Sequence, residues 1–250
     1  MDAQPTVRIM ADSGALAAEA SALVIEQARA AVAARGRFML ALSGGATPRE
    51  TYARLAELPA REHIPWDRTW IFFGDERCVP PDHPESNYRM AAETLVSKVA
   101  VPARQVFRMR GEADPEEAAA DYARAIAEAF GTRRGELPRF DMILLGFGVD
   151  GHTASLFPGS PALKEIFRPV AAVHAAAAAL PQRLTLTFPV LNAAACVALL
   201  GSGAEKAKVV KAMLGEGAAL PAAMVRPTDG TLVWLLDRDA AALLSPEPRR

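Results

Sequence analysis

Apolar residues along the chain alternate between two spacings. Leu16, Ala20, Leu23 and Ala30 recur at helical intervals and Gly36 follows as a stop, which predicts an amphipathic helix over Ser13–Arg35. The run RFMLAL at 37–42 is short and apolar, as a buried strand requires. A small-residue loop at 43–47 follows it, and Pro48 then opens a helix over 48–58. The same order returns downstream. TWIFF predicts a strand over Thr69–Phe73, followed by a long loop over 74–85, and Ser86 caps a helix over 87–98. Asp114-Pro115-Glu116-Glu117 starts a helix with a capping acid, a proline in the first turn and further acids facing the helix dipole; it runs to about Phe130. FDMILLG at 140–146 predicts a strand and 147–151 its loop. Further strands are expected over 183–188, Cys196–Gly201 and 231–236, with a helix over 204–214.

Strands separated by helices of this length need crossover connections, so the fold class is α/β with a mostly parallel sheet. One domain over 1–250 is the simplest organisation. The Ala-rich stretch has ambiguous periodicity, and a small lobe around 155–185 is the alternative. In such sheets ligands bind beyond the carboxyl ends of the strands. Loops 43–47, 74–85, 147–153 and 201–206 all follow strands and are therefore expected to meet on one side.

Composition narrows the function classes. The 250 residues carry 28 Lys+Arg against 29 Asp+Glu, a net charge of -1, with 51% hydrophobic and 23% charged residues. That balance fits an ordinary globular protein and argues against a dedicated nucleic-acid binder. The most apolar segments, 170–180 and 193–200, are too short for a bilayer span of about 20 residues. The opening MDAQPTVRIMADSG has no basic stretch leading into an apolar core, so no secretory signal is expected. Cys78 and Cys196 make neither a disulfide framework nor a zinc spacing. A reducing compartment, a cytoplasmic location, no membrane partner and a monomer are the expectations.

Four loops carry candidate chemistry. Ser43, Gly44, Gly45 and Thr47 join a strand to a helix, where glycine amides, hydroxyls and the helix N-terminus suit a phosphate; a tight turn without ligand is the bland alternative. Gly201-Ser202-Gly203 leads to Lys206, a cation set against the helix dipole, a conflict that a nearby anion removes. His152 follows a glycine-rich loop directly after an apolar strand. Imidazole can take a proton from water and return it, and Asp150 can orient the ring; a helix-capping Asp beside a structural His is the alternative. Arg77 can stabilise developing negative charge and Asp75 can hold a hydroxyl or act as a base, or the two can simply pair with each other. Arg183 heads a strand, where a surface charge is the default. His63, His83 and His174 have no metal-ligand spacing.

Together the segments LSGGATPRETY (42–52), GDERCVP (74–80), HPESNY (83–88), GFGVDGHTASLFPGS (146–160), RLTLTFPVLNAA (183–194) and GSGAEKAKVVKAML (201–214) resemble the 6-phosphogluconolactonase family. The ordered blocks cover roughly two thirds of the chain, and DGHTASLFPG is the most specific. The resemblance implies a modified Rossmann-like α/β fold, helices on both faces of its sheet, shared with glucosamine-6-phosphate deaminases. It implies hydrolysis of 6-phospho-D-glucono-1,5-lactone to 6-phospho-D-gluconate in the oxidative pentose phosphate pathway, with a small phosphorylated lactone as partner and no metal or organic cofactor. By resemblance His152 is the general base. Ser43, Gly44, Gly45, Thr47 and Lys206 look like phosphate contacts, Arg183 like a phosphate or substrate contact, and Asp75 and Arg77 match the GDER loop. Two competitors remain. The deaminases carry a glutamate soon after the His, where this chain has Ala154-Ser155-Leu156-Phe157-Pro158, with no acid. Sugar-phosphate sensor domains use similar folds without needing the His, often beside a DNA-binding segment; no such basic arm is evident here.

Overall fold

The structure, a computed structural model, describes residues 5–133, 135–176 and 178–244. Residue 177, within the alternative small lobe, and the two chain ends lie outside that set. In chain order the elements are β1 (Thr6–Met10), α1 (Ser13–Arg35), β2 (Phe38–Leu42), α2 (Ala46–Leu55), β3 (Thr69–Phe73), β4 (Asp75–Arg77), α3 (Asn87–Thr94) and α4 (Pro115–Phe130). Then follow β5 (Met142–Gly146), β6 (Val170–His174), β7 (Gln182–Leu186), α5 (Phe188–Ala193), β8 (Cys196–Gly201), α6 (Ala207–Val210), α7 (Pro221–Met224) and β9 (Thr231–Asp237).

Six strands form a parallel sheet in the order β1-β9-β8-β5-β2-β3. Side chains alternate across it. Phe38, Leu40 and Leu42 of β2 and Met142 and Leu144 of β5 face α1, α2 and α3. Met39, Ala41, Ile143 and Leu145 face the other way, with Phe72 and Trp234, onto α4 to α7. That is the α/β layering expected from the alternation of spacings. Each fully buried side chain of this size contributes roughly 1.5–3 kcal/mol by leaving water. A second sheet, β4-β7-β6, is antiparallel and packs on the α4 side.

Several boundaries differ from the sequence reading. Helix α2 begins at Ala46 and ends at Leu55, so Pro48 lies inside its first turn and 56–58 are not helical. The loop expected over 74–85 contains β4, which is too short to leave a periodicity. Helix α3 stops at Thr94 because Leu95 leaves helical geometry; 96–98 form a separate 3-10 turn. The strand expected over 183–188 ends at Leu186, since Pro189 favours a helix start and Phe188 opens α5. The segment 204–214 is not one α-helix: it passes from 3-10 geometry at Ala204–Lys206 through α6 to a π turn at Lys211–Gly215. Strands β1 and β6 and helix α7 had no counterpart in the sequence reading.

The chain runs from β2 outward to β3 and then returns to β5 on the opposite side of β2. Such a reversal opens a crevice at the carboxyl ends of the two strands. Two buried tyrosines hold the backbone there. Tyr52 Oη accepts from Ser43 N at 2.8 Å and donates to Ser43 O at 2.9 Å. Tyr122 Oη accepts from Phe73 N at 2.8 Å and lies 3.2 Å from Phe73 O. Burial pushes both phenols far above their ordinary range, so both remain protonated and able to donate.

Tyr52→Phe leaves the N–H and C=O of Ser43 without partners among the described residues. A loss of about 1–3 kcal/mol is expected, measured by urea denaturation; an unchanged midpoint would show that the hydroxyl does not hold the strand end.

Candidate active site

A cavity of about 490 Å³ opens at this crevice. The four loops do converge on it, as their shared place after strands predicts. Ser43, Gly44, Gly45 and Thr47 line it from the β2–α2 connection, and Asp75 and Arg77 from β4. His152, Arg183 and Lys206 complete the set of candidates on its wall. Asp150 does not line the cavity; it stands behind His152. Among the described residues no group of three or more His, Cys, Asp or Glu could hold a metal ion, and no helix is long and apolar enough to cross a membrane.

The imidazole of His152 is fixed by its neighbours. Its Nδ1 lies 2.6 Å from Asp150 Oδ1, which also accepts the His152 backbone N–H at 3.2 Å. Beside an ionised Asp150, the neutral form of the ring carries its proton on Nδ1 and its lone pair on Nε2. Partial burial works to raise the Asp150 carboxyl, but the two His152 contacts outweigh it and hold it below the usual range. Gly148 lies against the ring so closely that a Cβ there would overlap Cε1 and Nδ1. The loop is tied to α7 by Ala222 N, which donates to Gly151 O at 3.0 Å.

Cations gather on the opposite chain segments. Arg77 and Arg183 are direct partners in the β4–β7 ladder. Like charges placed opposite each other are unfavourable, and burial together with the Arg77 charge pulls the Arg183 guanidinium down from its usual value. Arg77 donates to Glu85 O at 2.5 Å and lies 3.8 Å from the Glu85 carboxylate, while its buried Nε has no partner among the described residues. Among the described residues neither Arg183 nor Lys206 forms an ion pair with a carboxylate. An anion in the cavity would relieve this crowding.

The amides are divided unequally between the two glycine loops. No hydrogen-bond partner takes the N–H of Gly44 or Gly45 among the described residues, so both remain available to a ligand. In the second loop, Gly203 N donates to buried Asp237 at 3.0 Å and Ser202 Oγ to the same carboxylate at 2.5 Å. There Lys206 is left as the ligand-facing group. Ser43 Oγ, buried at the cavity, has no partner among the described residues.

Asp75 and Arg77 are not the internal pair that was the alternative reading. The Asp75 carboxylate, 5% exposed, instead accepts from Asn87 Nδ2 at 3.1 Å and Ser155 Oγ at 2.8 Å. Ser155 reaches it because Ala154 adopts a left-handed φ of 47°, a backbone cost of about 1–2 kcal/mol. Asn87 packs so tightly on Gly44 that no side chain fits at that position. Glu76 turns away from the cavity and accepts the backbone N–H groups of Arg77, Asn87 and Tyr88 at 2.7–2.8 Å. Burial raises its carboxyl against the lowering effect of those bonds. Sequence reasoning assigned no role to Asn87, Ser155, Glu76, Tyr52 or Asp237. All of these but Asp237 did fall within the resembling segments, which was the one signal available.

The model of the family described as glucosamine-6-phosphate isomerases/6-phosphogluconolactonase matches residues 11–234. The 6-phosphogluconolactonase of Rattus norvegicus is 44% identical over 84% of this chain and 82% of its own length. That of Homo sapiens is 41% identical over 96% and 93%. The solved 6-phosphogluconolactonase of Trypanosoma cruzi superposes with a TM-score of 0.87 at 30% identity, covering 98% of this chain and 99% of its own.

Beside the site, burial raises the Cys78 thiol to about 11; the Glu76 charge adds to this and Arg183 opposes it. At pH 8 roughly one thiol in a thousand is then ionised. Alkylation of native Cys78 by iodoacetamide should be far slower at pH 8 than in the urea-unfolded chain and should quicken toward pH 11. Equal rates at pH 8, read by mass spectrometry, would contradict this environment.

Proposed function

Because the chain belongs to the family of glucosamine-6-phosphate isomerases and 6-phosphogluconolactonases, we propose that it hydrolyses 6-phospho-D-glucono-1,5-lactone to 6-phospho-D-gluconate. The reading rests on one juxtaposition: an imidazole with Nδ1 tied to Asp150 shares a cavity with two free glycine amides and three cations.

The substrate's phosphate is taken by the Gly44 and Gly45 amides, Lys206 and Arg183, with Ser43 and Thr47 supplying hydroxyls. Asp75, an acceptor whose two oxygens are already oriented by Asn87 and Ser155, receives a sugar hydroxyl. The lactone C1 is thereby held near His152. Nε2 removes a proton from a water molecule as the water oxygen attacks C1. The carbonyl π pair moves onto oxygen, and Arg77 stabilises that charge. The tetrahedral intermediate collapses, the C1–ring oxygen bond breaks, and the imidazolium returns its proton to the leaving oxygen. The products are a free hydroxyl and a carboxylic acid, which ionises in water. Asp150 keeps the tautomer and stabilises the imidazolium while it exists.

Lactone hydrolysis is favoured over sugar-phosphate deamination by the run after His152. Ala154 to Pro158 contains no acid, and the nearest downstream carboxylate, Glu165, is engaged with Arg168 and the N–H of Phe167.

His152→Ala should lower kcat by about 10²–10⁴-fold while substrate binding stays measurable. The assay couples freshly prepared lactone to 6-phosphogluconate oxidation, with the spontaneous rate subtracted; wild-type turnover in the variant would remove His152 from the mechanism. Lys206→Ala should raise KM for the phosphorylated lactone and leave that for unphosphorylated gluconolactone unchanged. Equal wild-type efficiency on the two lactones would argue against an anion site. Ammonia release from glucosamine 6-phosphate would favour the deaminase chemistry instead.

A further inference from the structure

Phe157 lies in the segment most specific to the family resemblance, and the mechanism above gives it no task. Its ring touches two groups that the mechanism does use. The His152 imidazole lies against it with centroids 4.5 Å apart and planes inclined by 33°. The Arg183 guanidinium carbon lies 5.9 Å from the same ring centroid. Arg183 is otherwise held through Nε, which donates to Leu180 O at 2.8 Å. His152 is otherwise held by Asp150 and by the close approach of Gly148.

We propose that Phe157 is a positioning residue: one aromatic ring sets the places of both the His152 imidazole and the Arg183 guanidinium, so that proton transfer and anion binding share a support. The roles of His152 and Arg183 are those of the preceding subsection, on which this inference rests. An aromatic face attracts a cation, so the ring favours the guanidinium at all times and the imidazole most when it has taken up the water's proton. The chain around the ring is itself fixed. Ser155 is anchored on Asp75 and Thr185, and Ser160 N donates to Phe157 O at 3.0 Å in a tight turn. Leu156, the residue before, is fully buried. The ring therefore has a firm base from which to hold its two neighbours.

The test is a set of steady-state measurements on purified, folded protein. Phe157→Leu should lower kcat roughly tenfold through the imidazole and raise KM severalfold through the guanidinium. Phe157→Tyr, which keeps the ring, should restore both to within about twofold. In an Arg183→Ala background, Phe157→Leu should still lower kcat but leave KM unmoved. In a His152→Ala background it should leave the residual kcat unmoved. A purely structural role would lower thermal stability without this separation. Should the leucine variant not fold, Phe157→Met carries the same expectations. Wild-type kcat and KM in the leucine or methionine variant, beside an inactive His152→Ala, would overturn the proposal for Phe157 alone. So would an equal fall in kcat with and without His152. Full activity in His152→Ala would instead remove His152 from the mechanism on which the proposal rests.

Discussion

Where a parallel strand ends inside a molecule, its last N–H and C=O lose the neighbouring strand that satisfied them, and an unpaired buried polar group is costly. This site is built around that constraint. Tyr52 closes the end of β2, Tyr122 the end of β3 and Asp237 the loop after β8. Because those groups take up the obligatory bonds at Ser43, Phe73 and Gly203, the amides of Gly44 and Gly45 can stay free. The ligand-facing surface is what remains after the scaffold has satisfied itself.

The same logic orders the charges. Glu76 and Asp75 are adjacent and both buried, yet they face different ways. Glu76 spends its oxygens on the start of α3, which brings Asn87 onto Asp75 and Gly44. Asp75 keeps acceptor capacity toward the cavity. Neither carboxylate pairs with Arg77 or Arg183; Arg77 meets the exposed Glu85 carboxylate instead, and Arg183 keeps its charge for a ligand. A scaffold that paired every charge internally would be a poorer receptor for an anion.

Much of this was legible in the sequence, and the limits have physical causes. Helices α1 and α4 were read at their observed bounds because each is long and capped, α1 by Asp12 and Gly36, α4 by Asp114 and Gly131; strands β3 and β8 were read because each is a short, continuous apolar run. Strand β4 has three residues and pairs only with β7, far along the chain, so nothing local announces it. Strand β6 lies in an alanine-rich stretch whose periodicity favours neither element. At the site, groups with distinctive chemistry such as His152, Lys206 and the glycine loop could be singled out one by one. Asn87 and Ser155 could not, because a neutral amide or hydroxyl gains its role only when folding sets it against Asp75.

The edge strand β1 has a further bearing, on the order in which the molecule can be completed. Among the described residues its one neighbour in the sheet is β9, with Val7 opposite Trp234, so the partner is translated more than two hundred residues later. At about 5–20 residues per second, the nascent chain waits roughly 10–50 s on the ribosome before this edge can close. Helix α7, which braces the His152 loop, also emerges late. Chains that stop short of β9 thus expose sheet edges to chaperones, and those that stop short of α7 lack the brace of the reactive loop.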